Sequence, residues 1–282
     1  KDVCILNGDL DDSILASEEL KWVHCCRAGV EKSTKPEVFE RGIILTSSSG
    51  RSAPALAEHA LMFMLSLTYD LPMLMCAQKE HKWAVSREYS EKTGMYRKTV
   101  GVIGLGKTGS EVARLVKSFD MKVLAWDRRR KEAQNVDQVY GAENGDNLNE
   151  LLAQCDYVVL SLELNDQTFH IIDAAQLAAM KKTAFLVNMG RGGLVNEPAM
   201  IEALKNGGIA GAGLDTFETE PLPSESPLWN LPNVIITPHI TPQLPDKEER
   251  MLDYVYQNIK AYRENGTFVN RVTLRNMLTP QK

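Results

Sequence analysis

Short apolar runs recur along the chain, each closed by turn residues. They predict strands at Val3–Leu6, Trp22–Cys25, Ile43–Thr46, Thr99–Ile103, Lys122–Trp126, Tyr157–Ser161, Ala184–Asn188, Ala210–Leu214 and Val234–Thr237. Between them, apolar side chains return at helical spacing. That spacing predicts helices at Pro54–Thr68, Thr108–Phe119, Leu148–Gln154, Asp173–Met180, Glu197–Lys205 and Lys247–Glu264. Strands alternating with helices build βαβ units and a parallel sheet, so the class is α/β. The alternation breaks between Ala53 and about Arg97, where a helix, a Leu71-Pro72 break, more helix and a polar loop follow one another. Such an interruption between two αβ series reads as a hinge between domains. The expected boundaries are 1–74 with 243–282 for one discontinuous domain and 75–242 for the other. The tail beyond 246 offers no further strongly apolar strand, and the last helix is expected to return to the first domain.

Composition narrows the class. The 282 residues suffice for two domains, and 44% hydrophobic content excludes disorder as the main state. Lys and Arg total 32 against 37 Asp and Glu, a net charge of -5. That balance argues against nucleic acid or a membrane surface as partner. The longest apolar run, Ala60–Tyr69, is well short of the roughly 18 residues that span a bilayer. Residues 1–20 are acidic and show no signal-peptide core. Five cysteines (Cys4, Cys25, Cys26, Cys76, Cys155) without a CxxC spacing indicate neither a disulfide framework nor a zinc cluster, and no metal site is expected. Cys25 and Cys26 could close a strained vicinal disulfide, but small buried hydrophobes in a reducing cytosol is the favoured reading. A cytoplasmic location is expected.

The segment Thr99-Val-Gly-Val-Ile-Gly-Leu-Gly-Lys-Thr-Gly109 places Gly104-x-Gly106-x-x-Gly109 after a strand and at the opening of a helix. The first glycine makes a tight turn, the second admits a pyrophosphate to the backbone, and the third lets helix and strand pack closely. The helix N-terminus adds free N–H groups and partial positive charge. An acid, Asp127, follows Gly106 by 21 residues at the end of the next strand, where a ribose-binding carboxylate belongs. Glycines serving turns only is the alternative, and this context weighs against it. Asp127 favours NAD, because a carboxylate there repels a 2′-phosphate. Arg128, Arg129 and Arg130 follow at once, and an arginine there could hold a 2′-phosphate, stack on adenine, or form a solvated turn. NAD is preferred over NADP.

Three later segments each end a strand with polar groups: Asn188-Met-Gly-Arg191, Gly211-Ala-Gly-Leu-Asp215 with Glu220 five residues on, and Val234-Ile-Ile-Thr-Pro-His239. Open α/β sheets bind ligands beyond their carboxyl edge. An arginine fork suits a carboxylate and its neighbouring carbonyl, and a histidine can donate the proton that accompanies hydride delivery. An ionised glutamate beside an imidazole favours its acid form. Taken singly, each residue is more often a surface charge or a packed core group.

These segments, with Leu20-Lys-Trp-Val-His24, Ala28-Gly-Val30, Arg41-Gly-Ile43, Ala57-Glu-His59, Leu214-Asp-Thr-Phe217 and Glu220-Pro-Leu222, give a specific set. From about Leu20 to Ala261 the chain resembles the D-isomer-specific 2-hydroxyacid dehydrogenase family, whose members include phosphoglycerate dehydrogenase and glyoxylate/hydroxypyruvate reductase relatives. The resemblance implies a Rossmann nucleotide-binding domain inserted in a flavodoxin-like substrate domain. It also implies a homodimer packed largely through the nucleotide domains, and NAD-dependent interconversion of a 2-oxo acid and a D-2-hydroxy acid. In that reading Arg191 orients the carboxylate and carbonyl, His239 is the acid/base and Glu220 its partner. Ala28 and Gly29 join Arg191 and His239 around the substrate. Asp215 meets the nicotinamide carboxamide. Gly104, Leu105, Gly106, Lys107, Thr108, Gly109, Asp127 and Arg128 line the nucleotide, together with Leu162, Thr168, Asn188, Met189 and Gly190. Ala57-Glu58-His59 reads as a structural part of the hinge helix.

The departures limit the analogy. The family's Ser-Leu-Pro-Leu-Thr is Ser161-Leu-Glu-Leu-Asn165 here, which puts Glu163 near the cofactor or turns it to solvent. Ile240-Thr-Pro-Gln-Leu-Pro245 stiffens a loop expected to border the substrate pocket. Arg27 offers a second positive charge to a substrate, or is a plain surface residue. The substrate therefore stays open, as do a non-enzymatic, NADH-linked corepressor-like role and a family enzyme acting on an atypical substrate such as formate or phosphite. The chain begins at Lys1 and enters Val3–Leu6 at once, so a preceding strand and helix are expected in the natural protein.

Overall fold

The structure is a computed structural model, and it describes residues 2–83, 92–241 and 244–279. The polar loop expected before Arg97 lies partly outside these residues, as do Pro242 and Gln243 of the loop after Ile240. The chain divides into two compact units: Lys1–Ser52 with Glu163–Phe169 and Gln243–Lys282, and Ala53–Leu162 with His170–Pro242.

The smaller unit holds β1 (Val3–Leu6), β2 (Trp22–Cys25) and β3 (Ile44–Ser47), in parallel, with a two-residue strand from the tail, Arg271–Val272, antiparallel to β3. That last strand was not foreseen, because two residues carry no periodicity. Its core gathers Leu10, Leu15, Leu20, Val23, Val38, Leu45 and Val272. The helix Lys247–Arg263 joins this unit. Trp22 stacks on Tyr262 at 5.4 Å, and Tyr262 donates to Asp2 at 3.0 Å. Below them lies a polar network with no exposed member. The His24 ring meets Thr46 at 2.8 Å and Ser48 at 3.0 Å, and the Asn258 side chain holds both backbone groups of Val269.

The larger unit is a seven-stranded, all-parallel Rossmann sheet. Its strands are β4 (Thr99–Ile103), β5 (Lys122–Trp126), β6 (Gln138–Tyr140), β7 (Tyr157–Leu160), β8 (Phe185–Asn188), β9 (Gly211–Leu214) and β10 (Val234–Ile236), in the order β10-β9-β8-β7-β4-β5-β6. Edge strand β6 was not foreseen, since only Tyr140 of its three residues is buried. The register pairs Trp126 with Ile103, Ile103 with Leu160, Leu160 with Asn188, Asn188 with Leu214, and Leu214 with Ile236. One residue further on, Gly104, Asp127, Ser161, Met189, Asp215 and Thr237 therefore form a row along the carboxyl edge. The strand order reverses between β7 and β4, which is where open α/β sheets bind ligands.

The helix Ala53–Thr68 is the main difference from expectation. The sequence placed it with the first domain, ending at 74, whereas its apolar face packs into the larger unit. The reason is β9, whose Gly-Ala-Gly sequence leaves no side chain in the way. A methyl group on Gly213 would lie 2.5 Å from the Phe63 ring. Ala57, Ala60, Phe63 and Met64 complete one core with Val100, Val102, Val159 and Val187. The helix stops at Asp70, whose φ of 51° is left-handed, and the chain continues as the helix Leu71–Lys79.

Candidate active site

The three glycines of the turn meet three different demands. Gly104 has φ of 103°, which a side chain would strain. It also lies against Leu162 and Ser161, whose hydroxyl donates to the Gly104 carbonyl at 2.7 Å. Gly109 sits where a methyl group would be 1.9 Å from that same carbonyl oxygen, so helix and strand touch through backbone alone. Gly106 faces open space. It starts the helix Lys107–Val116, whose N-cap makes no side-chain hydrogen bond, and the Leu105 N–H just ahead of it is held by Asp127. An open glycine face before an uncapped helix fits a nucleotide pyrophosphate.

Asp127 closes the other side of this turn. Its Oδ2 accepts the Leu105 N–H at 3.2 Å, and its Oδ1 accepts those of Arg129 and Arg130 at 2.9 and 3.0 Å. The carboxylate is thus held at the end of β5 by backbone donors. Arg128 lies 3.9 Å from Glu143, a loose pair, while Arg129 and Arg130 are exposed.

On the far side of the switch point, Asn188 shapes the loop that carries Arg191. The buried amide accepts the Gly190 N–H at 3.1 Å and donates to the Arg191 carbonyl at 2.9 Å. Asn188 is thereby occupied with its own loop, and the Met189 side chain is part of the core, leaving its backbone toward the edge. Arg191 donates to the Gly190 carbonyl at 2.8 Å. The next residue, Gly192, lies flat against Phe217: a methyl group there would be 1.9 Å from the Phe217 carbonyl carbon. The arginine loop is therefore fixed to the segment that leads to Glu220.

Glu220 and His239 are brought together directly. The His239 Nδ1–H donates to Glu220 Oε2 at 2.8 Å, and Glu220 Oε1 accepts the Phe217 N–H at 3.0 Å. His239 has φ of 53°, a left-handed conformation that its surroundings must enforce, and its side chain is 47% exposed. With Nδ1 engaged by the carboxylate, Nε2 is the nitrogen left to carry a transferable proton. Asp215 is almost fully buried and is already bonded. Its Oδ1 accepts Thr237 Oγ1 at 2.6 Å and the Ile240 N–H at 3.1 Å, and Oδ2 accepts Thr241 at 3.4 Å. The carboxylate expected at the nicotinamide thus also anchors the turn that holds His239.

Ala28 and Gly29 follow β2 in the smaller unit. Ahead of them, Arg27 pairs with Asp9 at 3.1 Å, so its charge is matched within that unit. Arg51 donates to the Cys26 carbonyl, and Cys25 and Cys26 are buried free thiols whose pKa burial pushes up. Thr168 closes its own loop, donating to the Glu163 carbonyl at 2.8 Å and accepting the Asn165 N–H at 2.9 Å. Glu163 accepts two 2.8 Å bonds from Asn276, and Asp166 accepts the Thr279 N–H at 2.7 Å. Of the two placements left open for Glu163, neither anticipated this partner in the tail.

Sequence reasoning also missed groups at the back of the site. His59 was read as structural, yet its ring reaches both Thr237 and Thr241. A second histidine–glutamate pair, His170 with Glu218 at 2.7 Å, lies beside the Arg191 loop, where the His170 N–H also donates to the Gly193 carbonyl. No local spacing announces either contact.

Comparison with known proteins identifies the family. The family model for the D-isomer specific 2-hydroxyacid dehydrogenase, NAD binding domain, matches residues 61–241. The chain is 34% identical over 264 residues to a glyoxylate reductase of Korarchaeum cryptofilum, covering 93% of this chain and 79% of that protein. It is 35% identical over 266 residues to a D-3-phosphoglycerate dehydrogenase of Methanocaldococcus jannaschii, of which it spans 50%. Among solved structures, an NADPH-dependent glyoxylate/hydroxypyruvate reductase from Sinorhizobium meliloti, in complex with NADP and sulfate, superposes with a TM-score of 0.84 at 26% identity, covering 98% of this chain and 86% of that one.

Proposed function

Because the chain belongs to the D-isomer specific 2-hydroxyacid dehydrogenase family, and is an oxidoreductase of that family with a pyridine-nucleotide-binding domain, we propose that it reduces a small 2-oxo acid to the D-2-hydroxy acid with NADH. The observation that carries this reading is the 2.8 Å His239–Glu220 pair beyond the carboxyl edge of the Rossmann sheet. The Gly104–Gly109 turn would hold the pyrophosphate, Asp127 the adenosine ribose, and the edge at Leu162, Met189 and Gly190 the remainder. When bound, the reduced nicotinamide supplies a hydride to the carbonyl carbon. Arg191 grips the substrate carboxylate and polarises the carbonyl oxygen. His239 gives its Nε2 proton to that oxygen as negative charge develops there, and Glu220 stabilises the imidazolium that precedes the transfer. The reverse reaction uses the same groups in the opposite order.

The preference for NADH rests on Asp127, whose carboxylate repels a 2′-phosphate. The exposed Arg129 and Arg130 are the groups that would counter it. We further propose a homodimer built on the larger unit. The helix Leu71–Lys79 is apolar yet has no buried residue; Leu71 and Met75 on it and Tyr69 just before it are exposed, as are Met62 and Tyr96 elsewhere in the same unit. That face borders a cavity of about 860 Å³ lined by Leu67, Met73 and Tyr157 among others. Five free cysteines fit a reducing compartment, and we place the protein in the cytoplasm.

The test is oxidation of NADH and of NADPH with glyoxylate, hydroxypyruvate, its 3-phosphate, pyruvate, and branched and aromatic 2-oxo acids. Turnover of at least one, faster with NADH, is expected. His239→Gln should remove turnover, by about 1,000-fold or more, while NADH still binds. Inactivity toward the whole panel, or an active His239→Gln, would overturn the assignment.

A further inference from the structure

One imidazole on the helix Ala53–Thr68 enters the network behind His239. His59 is buried and stacked on Phe63 at 4.8 Å between ring centroids. Its Nε2 lies 3.2 Å from Thr237 Oγ1, and its Nδ1 lies 3.2 Å from Thr241 Oγ1. The same two hydroxyls converge on Asp215, at 2.6 Å to Oδ1 and 3.4 Å to Oδ2. Thr237 and Thr241 stand two residues before and two after His239. One ring therefore braces both ends of the turn whose middle residue is the proposed acid.

The protons in this network are limited. A threonine hydroxyl has one proton. Thr237 gives its proton to Asp215 in a short bond, so it can only accept from His59. The Nε2 position must then carry hydrogen. Thr241 has a choice: it donates to Asp215, or to a bare Nδ1. In the imidazolium form both ring N–H groups donate to hydroxyls and both hydroxyls donate to the carboxylate. In the neutral Nε2–H form the Thr237 arm is unchanged. Burial pushes the His59 pKa down and the Asp215 carboxylate opposes that. The Thr237 arm is common to both forms, so the brace holds either way.

We propose that His59 is a positioning residue for the reaction. Through Thr237 and Thr241 it fixes the Asp215 carboxylate and the left-handed turn at His239. It touches neither substrate nor reacting atoms, and its role in turnover rests on the reading of His239 as the acid. A residue present only to fill space against Phe63 could be leucine. Leucine would leave the half-buried Thr237 and Thr241 without their ring partner beside the buried Asp215 carboxylate, and small misplacements of a catalytic group are costly in rate.

The experiment uses the full chain with the 2-oxo acid it reduces best. His59→Leu is expected to lower kcat by about 10- to 100-fold with KM changed less than about threefold. His59→Gln, which keeps a donor toward Thr237, should recover most of that loss. Thr237→Val should cost about as much as His59→Leu, and the double variant no more than either, because both break one connection. A fully active His59→Leu, no recovery in His59→Gln, or multiplicative losses would overturn the brace. Should His59→Leu fail to fold, His59→Gln against His59→Ala carries the same comparison. A readout independent of turnover is the His59 tautomer, seen in long-range 1H–15N correlations of the wild type. Protonated Nε2 supports the brace, and a bare Nε2 overturns it. A wild type that reduces nothing in the panel overturns the proposed function, and the tautomer still decides the brace.

Discussion

Two histidine–glutamate pairs flank one short segment of the larger unit, and they are built alike. Glu220 meets His239 at 2.8 Å, and Glu218 meets His170 at 2.7 Å. Both histidines are left-handed, with φ of 53° and 50°. The difference lies in the surroundings. Glu218 also accepts the Glu197 N–H at 3.1 Å, while Glu197 accepts the Glu218 N–H at 3.2 Å, so the two acids clamp each other's backbone. Burial, with a smaller contribution from the Glu218 charge, raises the Glu197 pKa. The His239 side chain is 47% exposed against 26% for His170. The same pair of side chains thus makes a structural staple where its atoms are held from several sides. It makes a candidate acid where one ring nitrogen is left free.

Neutralising each acid in turn separates the two pairs. Glu220→Gln keeps the acceptor for Phe217 but removes the charge beside His239, and turnover should fall by about 100-fold with little change in melting temperature. Equal turnover losses in Glu220→Gln and Glu218→Gln would remove the distinction.

The two pairs share a segment held against the Arg191 loop by Gly192. Gly192→Ala forces a methyl group into the Phe217 backbone, and urea unfolding should show a loss of about 2–3 kcal/mol together with reduced activity. Unchanged stability would mean that the loop and the segment move independently.

A third histidine shows what burial does without a carboxylate. Burial lowers the pKa of His24 from 6.5 to about 4. The unfolded chain therefore takes up a proton more readily than the folded one between these values. The stability contributed by neutral His24 is fully present above pH 6.5 and is lost as pH falls toward 4. Between pH 7 and pH 5 the loss should be roughly 2 kcal/mol. Denaturation midpoints at the two pH values, with His24→Asn as the control lacking that slope, measure it.

The smallest expected effect belongs to the clamp. Glu218→Gln should cost about 1 kcal/mol of stability and less than about threefold in turnover, because its amide oxygen still accepts the Glu197 N–H. A calorimetric scan beside the assay separates the two.

Much of the Rossmann unit could be read in advance. Val100, Val102, Val158 and Val159 announce buried parallel strands, and Gly104, Gly106 and Gly109 meet demands of turn, open face and packing that their spacing anticipates. Glu220 and His239 were visible as candidates because each follows a strand that periodicity identifies. The domain limit at 74 was misplaced, since an apolar helix does not state which core receives it. Phe63 seated on Gly213 decides that.

What is local could be read along the chain: the alternation of strands and helices, the glycine turn with its acid, and the polar residues at strand ends. Partnerships between distant residues come from the folded chain. Thr237 and His59 are 178 residues apart, and Glu163 and Asn276 are 113 apart. Separations of that size carry no periodic trace in the chain. Such contacts exist because sheet register and helix packing bring particular side chains within hydrogen-bond distance, and burial then makes leaving them unpaired costly.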